Sequence, residues 1–259
     1  MSLFAILILG IIQGLTEFLP VSSSGHLVLV PLLAGWESQP LVIDTTLHLG
    51  TTLAIVLYFY KDIFVITRDF LSNPKSENGM LAQYIMVSSI PAAILGFLLE
   101  DLFDTIFRGM GWVIIFLAAG TLFIFVAEKY FSKGAGTLSY TKSFFIGLFQ
   151  SLALFPGVSR SGASISAGMY IGLSRESAAK FSFLMAIPTI VGAGVYKMLS
   201  SYSILVTYPA ELVLLGVLSS FIVGMLAIKF LLNFVKTNSL MVFVWYRLLL
   251  IVLLLALFI

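Results

Sequence analysis

Three stretches of this chain, Val113–Ala127, Leu212–Met225 and Leu248–Ile259, contain no charged residue at all. A segment that apolar can hide its backbone polar groups only by bonding them internally, and a helix of about 20 residues does this across a bilayer core. Six segments qualify: about 41–60, 82–99, 111–129, 181–199, 210–232 and 239–259. Composition rules out burying them in a soluble core. Of 259 residues, 60% are hydrophobic and 10% charged, with a mean hydropathy of +1.10. A soluble domain has roughly 25% charged residues to cover itself with. The expected fold class is therefore an all-α polytopic membrane protein.

The absence of cysteine excludes disulfides, cysteine-based zinc sites and thiol nucleophiles. The net charge of +2, spread over dispersed basic residues, offers no track for nucleic acid. The N-terminus has neither a basic n-region nor a small-residue cleavage site, so its apolar run is expected to be retained.

Two regions, 2–34 and 143–173, are apolar but interrupted by Pro, Ser and Gly. Their centres read QGLTEFLPVSSSGH at 13–26 and QSLALFPGVSRSGA at 150–163. Each half has about 14–18 residues, short for a span. A re-entrant hairpin fits best, because broken backbone at membrane depth must be buried in protein or line a wet cavity. Two short spans joined by a surface loop are the alternative. Aligned at an offset of 137, Gly10–Gly25 and Gly147–Gly162 agree at eight of sixteen positions. The shared Gln and Ser-x-Ser-Gly exceed what apolar bias supplies.

The chain is thus expected to be one membrane domain, 1–259, holding two copies of a unit, 1–131 and 138–259. Each copy is a hairpin followed by three spans. Three crossings invert the second copy, so the hairpins enter from opposite faces and meet near the midplane. Six spans and two re-entrant hairpins result. Ten of the fourteen Lys and Arg residues (Lys61, Arg68, Lys75, Lys129, Lys133, Lys142, Arg175, Lys180, Lys229 and Lys236) then share one side. Arg108, Lys197, Glu37, Glu100, Asp101, Asp104 and Glu211 fall opposite, with both termini. The positive-inside rule puts the termini and the opening of the site outside.

Ionisable groups within such segments imply function. Glu17, His26 and Arg160 lie in the hairpins. Gln13 and Glu17, spaced i, i+4, share a helix face. Ser22, Ser23 and Ser24 follow the break at Pro20, and Gly25 permits close backbone approach to a ligand. The outgoing half-helix, expected to start around His26, would aim its free N–H groups at the tip and so favour an anion. In the second copy Ser159, Arg160, Ser161, Gly162 and Ser164 form the tip, and the guanidinium suits two phosphate oxygens. The copies differ where chemistry would divide. Glu17 opposes Leu154, Ser23 opposes Arg160, and His26 opposes Ala163. One tip would bring acid–base groups and the other a phosphate clamp. Together they suit hydrolysis of a phosphoric anhydride.

Asp44 and His48 share a helix face and are expected to support the site or pair structurally. Arg247, after Trp245-Tyr246, is expected to be a structural partner inside the bundle. Glu100, Asp101 and Asp104 are expected in a solvated loop.

Gln13-x-x-x-Glu17, the following Ser-Ser-x-Gly-His26, and Pro156-Gly-x-Ser-Arg160-Ser resemble the undecaprenyl-diphosphate phosphatase family of the bacitracin-resistance type. The resemblance covers the whole chain. It departs at Ser164, where the family motif usually has Thr, and it uses Gln at position 13 where the motif allows Glu or Gln. It implies removal of the terminal phosphate from a C55 polyprenyl diphosphate, recycling a carrier lipid for cell-wall polymers, with a divalent cation, magnesium or calcium. Glu17 would be a metal ligand or base, and Arg160 the phosphate clamp. His26 would be an acid, base or nucleophile. The nucleophile stays open between water, Ser23 and His26. Gln13, Ser22, Ser24, Gly25, Ser159, Ser161, Gly162 and Ser164 would contact substrate or cap the helices. The partners expected are the lipid substrate and membrane lipids, with room for a homodimer and no nucleic acid. A secondary transporter or lipid flippase on the same repeats is the rival class.

Overall fold

The apolar segments are helical throughout, and no strand occurs among the described residues. The computed structural model describes residues 2–36, 41–105, 107, 109–131, 134–205 and 208–258. The first half holds α1 (Leu3–Phe18), α2 (Ser23–Leu33), α3 (Leu41–Tyr58), α4 (Tyr60–Ser72), α5 (Glu77–Thr105) and α6 (Met110–Phe131). The second holds α7 (Tyr140–Ser151), a 3₁₀ turn at Leu152–Leu154, α8 (Arg160–Tyr170), α9 (Arg175–Leu205), α10 (Ala210–Thr237) and α11 (Met241–Phe258).

Among the described residues, five helices (α5, α6, α9, α10 and α11) are long and apolar enough to cross a membrane, and α3 with α4 makes a sixth if the bent pair is one span. The protein is a multi-pass membrane protein. Beyond the expected span 41–60 the chain stays helical as far as Ser72, after a 66° bend from α3. Apolar residues recurring along Tyr60–Ser72 give α4 a greasy face, and Ile66 buries it. Glu37 and Arg108 lie outside the described residues, as do the side chains of Glu100, Asp101, Asp104 and Lys197.

The interrupted regions form two pairs of short helices. The pair α1 and α2 has 16 and 11 residues, and α7 and α8 have 12 and 11. Each second helix is capped by a serine with positive φ, Ser22 at 76° and Ser159 at 74°. Each cap hydroxyl accepts a bond from a glycine N–H three residues on, Gly25 at 3.4 Å and Gly162 at 3.2 Å. A non-glycine residue seldom adopts this backbone, so two occurrences in matching positions mark built turns. Gly157, at φ 111°, is needed for a second reason: a Cβ there would sit 2.5 Å from the Val113 carbonyl of α6.

The pairs trade packing partners. Helix α1 packs chiefly on α10, in the second half of the chain, whereas α7 packs chiefly on α5, in the first. Gly10 of α1 faces Gly216 and Ser219 of α10, and Gly147 of α7 faces Ser88 of α5. Small residues at these crossings let backbones approach closely, which is how helices associate where no hydrophobic drive separates them from lipid. Phe18 stands edge-on to Phe183 at 5.6 Å, fixing the end of α1 against α9. At one end of the bundle Lys180 pairs with Asp62 at 2.8 Å, Arg175 with Glu128, and Lys236 with Glu176 at 3.8 Å. These contacts gather α4, α6 and α10 around the start of α9.

Candidate active site

The ends of α1 and the start of α8 bring a carboxylate and a guanidinium together from opposite halves of the chain. Arg160 Nη2 donates to Glu17 Oε1 at 2.9 Å. The other carboxylate oxygen accepts from Ser23 Oγ at 2.7 Å and from Gln13 Nε2 at 3.1 Å. Gln13 and Glu17 reach one spot because they sit one helical turn apart on α1. Glu17 and the side chain of Arg160 are only 9% and 13% exposed, so neither charge is left to water alone. Each needs the other, or a ligand, at that depth.

The tips also touch directly. The Gly157 N–H donates to Ser24 Oγ at 3.3 Å, and Ser161 Oγ donates to the Leu19 carbonyl at 3.1 Å. The first of the two second helices begins earlier than expected: α2 starts at Ser23 rather than near His26, because Ser22 caps it. Thr16, Glu17, Ser22, Ser23, Ser24, His48, Ala153, Ser159 and Arg160 enclose a cavity of about 150 Å³. Two helix N-termini abut it, and their dipoles add positive potential to that of Arg160.

Several expected residues stand elsewhere. Ser164 is fully buried, with its Oγ on the Arg160 carbonyl at 2.7 Å and on Ser182 Oγ at 2.6 Å. Ser161, Gly162 and Gly25 serve the turns and do not line the cavity. His26 is also off the lining. Its Nδ1 is 2.7 Å from the Ser22 carbonyl, which can only accept, so the proton sits on Nδ1. Nε2 then accepts from the Tyr246 hydroxyl at 2.5 Å. In this geometry His26 holds the strained Ser22 peptide.

His48 reaches further in than its expected supporting place. Its Nδ1–H donates to the Asp44 carbonyl at 2.7 Å, and Nε2 lies 3.6 Å from Glu17 Oε2. The shared helix face of Asp44 and His48 was the available signal, but not which way that face pointed. Arg247 is a structural partner, as expected, and it joins more than one element. Fully buried on α11, it donates to the Thr121 hydroxyl and the Leu117 carbonyl of α6, to Pro20 of the first tip, and to Gly157 and Val158 of the second.

Beside the polar cavity lies a larger one of about 320 Å³, walled mainly by apolar groups such as Ala92, Leu154, Ile190 and Ala193. His48, Ala153 and Arg160 line both. An anion-seeking chamber that shares its walls with an apolar one, inside a membrane bundle, defines the class: a membrane enzyme for a phosphorylated lipid.

The comparisons narrow that class. The model of the bacitracin resistance protein BacA family matches residues 6–253. Similar proteins include the undecaprenyl-diphosphatases of Pelotomaculum thermopropionicum, 42% identical over 253 residues, and of Caldicellulosiruptor bescii, 42% over 250. These alignments cover 96% and 95% of this chain and 94% of each relative. The undecaprenyl-diphosphatase of Moorella thermoacetica is 40% identical over 262 residues, covering 100% of this chain and 98% of its own length. The chain belongs to the BacA family.

Proposed function

We infer that the protein is an integral membrane undecaprenyl-diphosphatase: it hydrolyses a long-chain polyprenyl diphosphate to the monophosphate and phosphate. That reaction recycles a carrier lipid for cell-wall synthesis and underlies resistance to bacitracin. The observation that carries the site assignment is the Glu17–Arg160 pair across the two tips, with Ser23 on the same carboxylate.

The terminal phosphate enters the small polar chamber and competes with Glu17 for Arg160. Arg160 then forks onto phosphate oxygens, joined by the helix N-termini, and charge on the phosphoryl group is neutralised. Glu17, relieved of its cation, accepts the Ser23 proton as Ser23 Oγ attacks the terminal phosphorus. The bond from phosphorus to the bridging oxygen breaks, and its electron pair leaves with the polyprenyl monophosphate. Water next attacks the phosphoserine. Glu17 returns the proton to the departing Ser23 oxygen, and both protons of the water leave with dihydrogen phosphate.

Gln13 Oε1 is buried without a hydrogen-bond partner in the protein, at the other end of the amide whose Nε2 donates to Glu17. Glu17 and Gln13 would hold a divalent cation, magnesium or calcium, through a carboxylate and an amide oxygen. When bound, that cation supplies further neutralisation of the diphosphate. Among the described residues no group of three His, Asp or Glu side chains offers an all-protein cage.

The exchange of packing partners between α1 and α7, and the matched caps at Ser22 and Ser159, support two inverted copies, 1–131 and 138–259. The basic end of the bundle supports termini and a site opening on the outer face of the cell membrane. An impermeant thiol reagent on intact cells is expected to label Glu211→Cys and spare Lys75→Cys, both at exposed positions of a cysteine-free chain. The reverse pattern contradicts the orientation.

The phosphatase reading is tested by phosphate release from a polyprenyl diphosphate in detergent, which a transporter would not give. With the terminal phosphate radiolabelled, acid quenching is expected to leave label on the wild-type chain and none on Ser23→Ala. Steady turnover by Ser23→Ala would transfer the attack to water.

A further inference from the structure

Gln150 is 3% exposed, and neither its amide nitrogen nor its amide oxygen has a hydrogen-bond partner in the protein. A buried amide left in that state is costly, and natural chains rarely keep one without use. The repeat explains how it arose. Gln150 stands where Gln13 stands in the first copy, but the partner that Gln13 has in Glu17 is replaced by Leu154. Gln150 lines the larger, apolar cavity and not the polar chamber. Arg160 lines both, and its Nη1 is likewise buried and unpartnered while Nη2 holds Glu17. Gln150 and Arg160, each with an unpaired buried nitrogen, thus both line the chamber next to the site of attack.

We propose that Gln150 is a positioning residue for the phosphate that stays on the lipid. Resting on the phosphatase reading above, this places the terminal phosphate in the polar chamber among Ser23, Glu17 and the helix N-termini. The lipid-bearing phosphate sits one bridging oxygen away at the mouth of the apolar chamber. There the Gln150 Nε2–H and Arg160 Nη1–H donate to its oxygens, and the first part of the prenyl chain lies against Leu154, Ile190 and Ala193. Holding the second phosphate fixes the direction of the breaking bond relative to Ser23. It also makes the monophosphate product a ligand of Gln150, whereas inorganic phosphate is not.

The test uses the full chain in detergent, with farnesyl monophosphate and inorganic phosphate as separate probes, their binding read by calorimetry. Gln150→Leu removes the donor at similar volume, and Gln150→Glu replaces it with a negative charge. Gln150→Leu is expected to weaken farnesyl monophosphate about 10-fold or more, the scale of a hydrogen bond to a charged group. Gln150→Glu should weaken it further. Inorganic phosphate affinity should stay within about twofold. The KM for a polyprenyl diphosphate should rise with the farnesyl monophosphate Kd. Gln150→Leu should also match or exceed the wild-type Tm, since it deletes an unpaired buried amide. Unchanged farnesyl monophosphate binding, equal loss for both probes, or a lowered Tm in Gln150→Leu each overturns the proposal. Because binding is measured directly, a wild-type chain that binds these probes but releases no phosphate would overturn the phosphatase reading instead.

Discussion

Arg160→Lys is expected to lower phosphate release at least about 100-fold while leaving the fold intact, in line with what single electrostatic clamps on a transferring phosphoryl group contribute. Lysine keeps the charge but not the planar fork. Arg160 uses one nitrogen for Glu17 and has a second buried and unpaired, so a single ammonium cannot replace both. Glu17→Gln is expected to fall as far for a different reason. The amide preserves the shape of the cluster with Ser23 and Gln13, but it cannot accept the Ser23 proton or balance Arg160 before substrate arrives. The double variant should lose little more than either single, because both changes disable one unit. Turnover across a magnesium or calcium titration, with thermal unfolding as a control, makes the measurement. Near-normal turnover in both single variants would end the assignment of this pair as the reactive centre.

Arg247→Met should fail in the opposite manner, losing the fold and the activity together. The five acceptors around its guanidinium are all neutral oxygens, drawn from α6 and from both hairpin tips. Methionine fills similar space but removes the guanidinium from all five, and only the Leu117 carbonyl keeps a side-chain donor, the Thr121 hydroxyl. At about 1–3 kcal/mol for each buried acceptor left unpaired, a loss of at least about 3 kcal/mol is expected even after relaxation. Turnover should drop with it, since Arg247 ties Pro20 of one tip to Gly157 and Val158 of the other. Arg247→Lys should recover part of the stability, as an ammonium can reach some of the five but not all. Denaturant unfolding in detergent is the readout. A stable Arg247→Met with normal turnover would show that the tips hold together without it.

How much of this was written in the chain can be judged residue by residue. The uninterrupted apolar runs already required helices, because lipid offers no other partner for backbone polar groups. The doubled Gln and Ser-x-Ser-Gly singled out two broken regions, and the mismatches within them picked out Glu17, Ser23 and Arg160, which the fold does bring to one cluster. Contacts between distant segments were not legible in the same way. Nothing local to Arg247 says that its guanidinium reaches both tips, since its partners lie about 90 to 230 positions away. His26 looked reactive as an ionisable group in an apolar segment, yet the fold closes both its nitrogens, one on Ser22 and one on Tyr246. His48 looked peripheral until α3 packed beside α1 and turned its imidazole toward Glu17. Gln150 is the sharpest case: its identity follows from the repeat, but its lack of a partner exists only once Leu154 and the apolar chamber surround it. Periodicity and motif spacing act along the chain, so sequence alone determined the helices, the membrane setting and the residue types of the candidate site. Which polar groups end up paired, and which are left for a ligand, depends on distances across the bundle, and only the tertiary structure decided that.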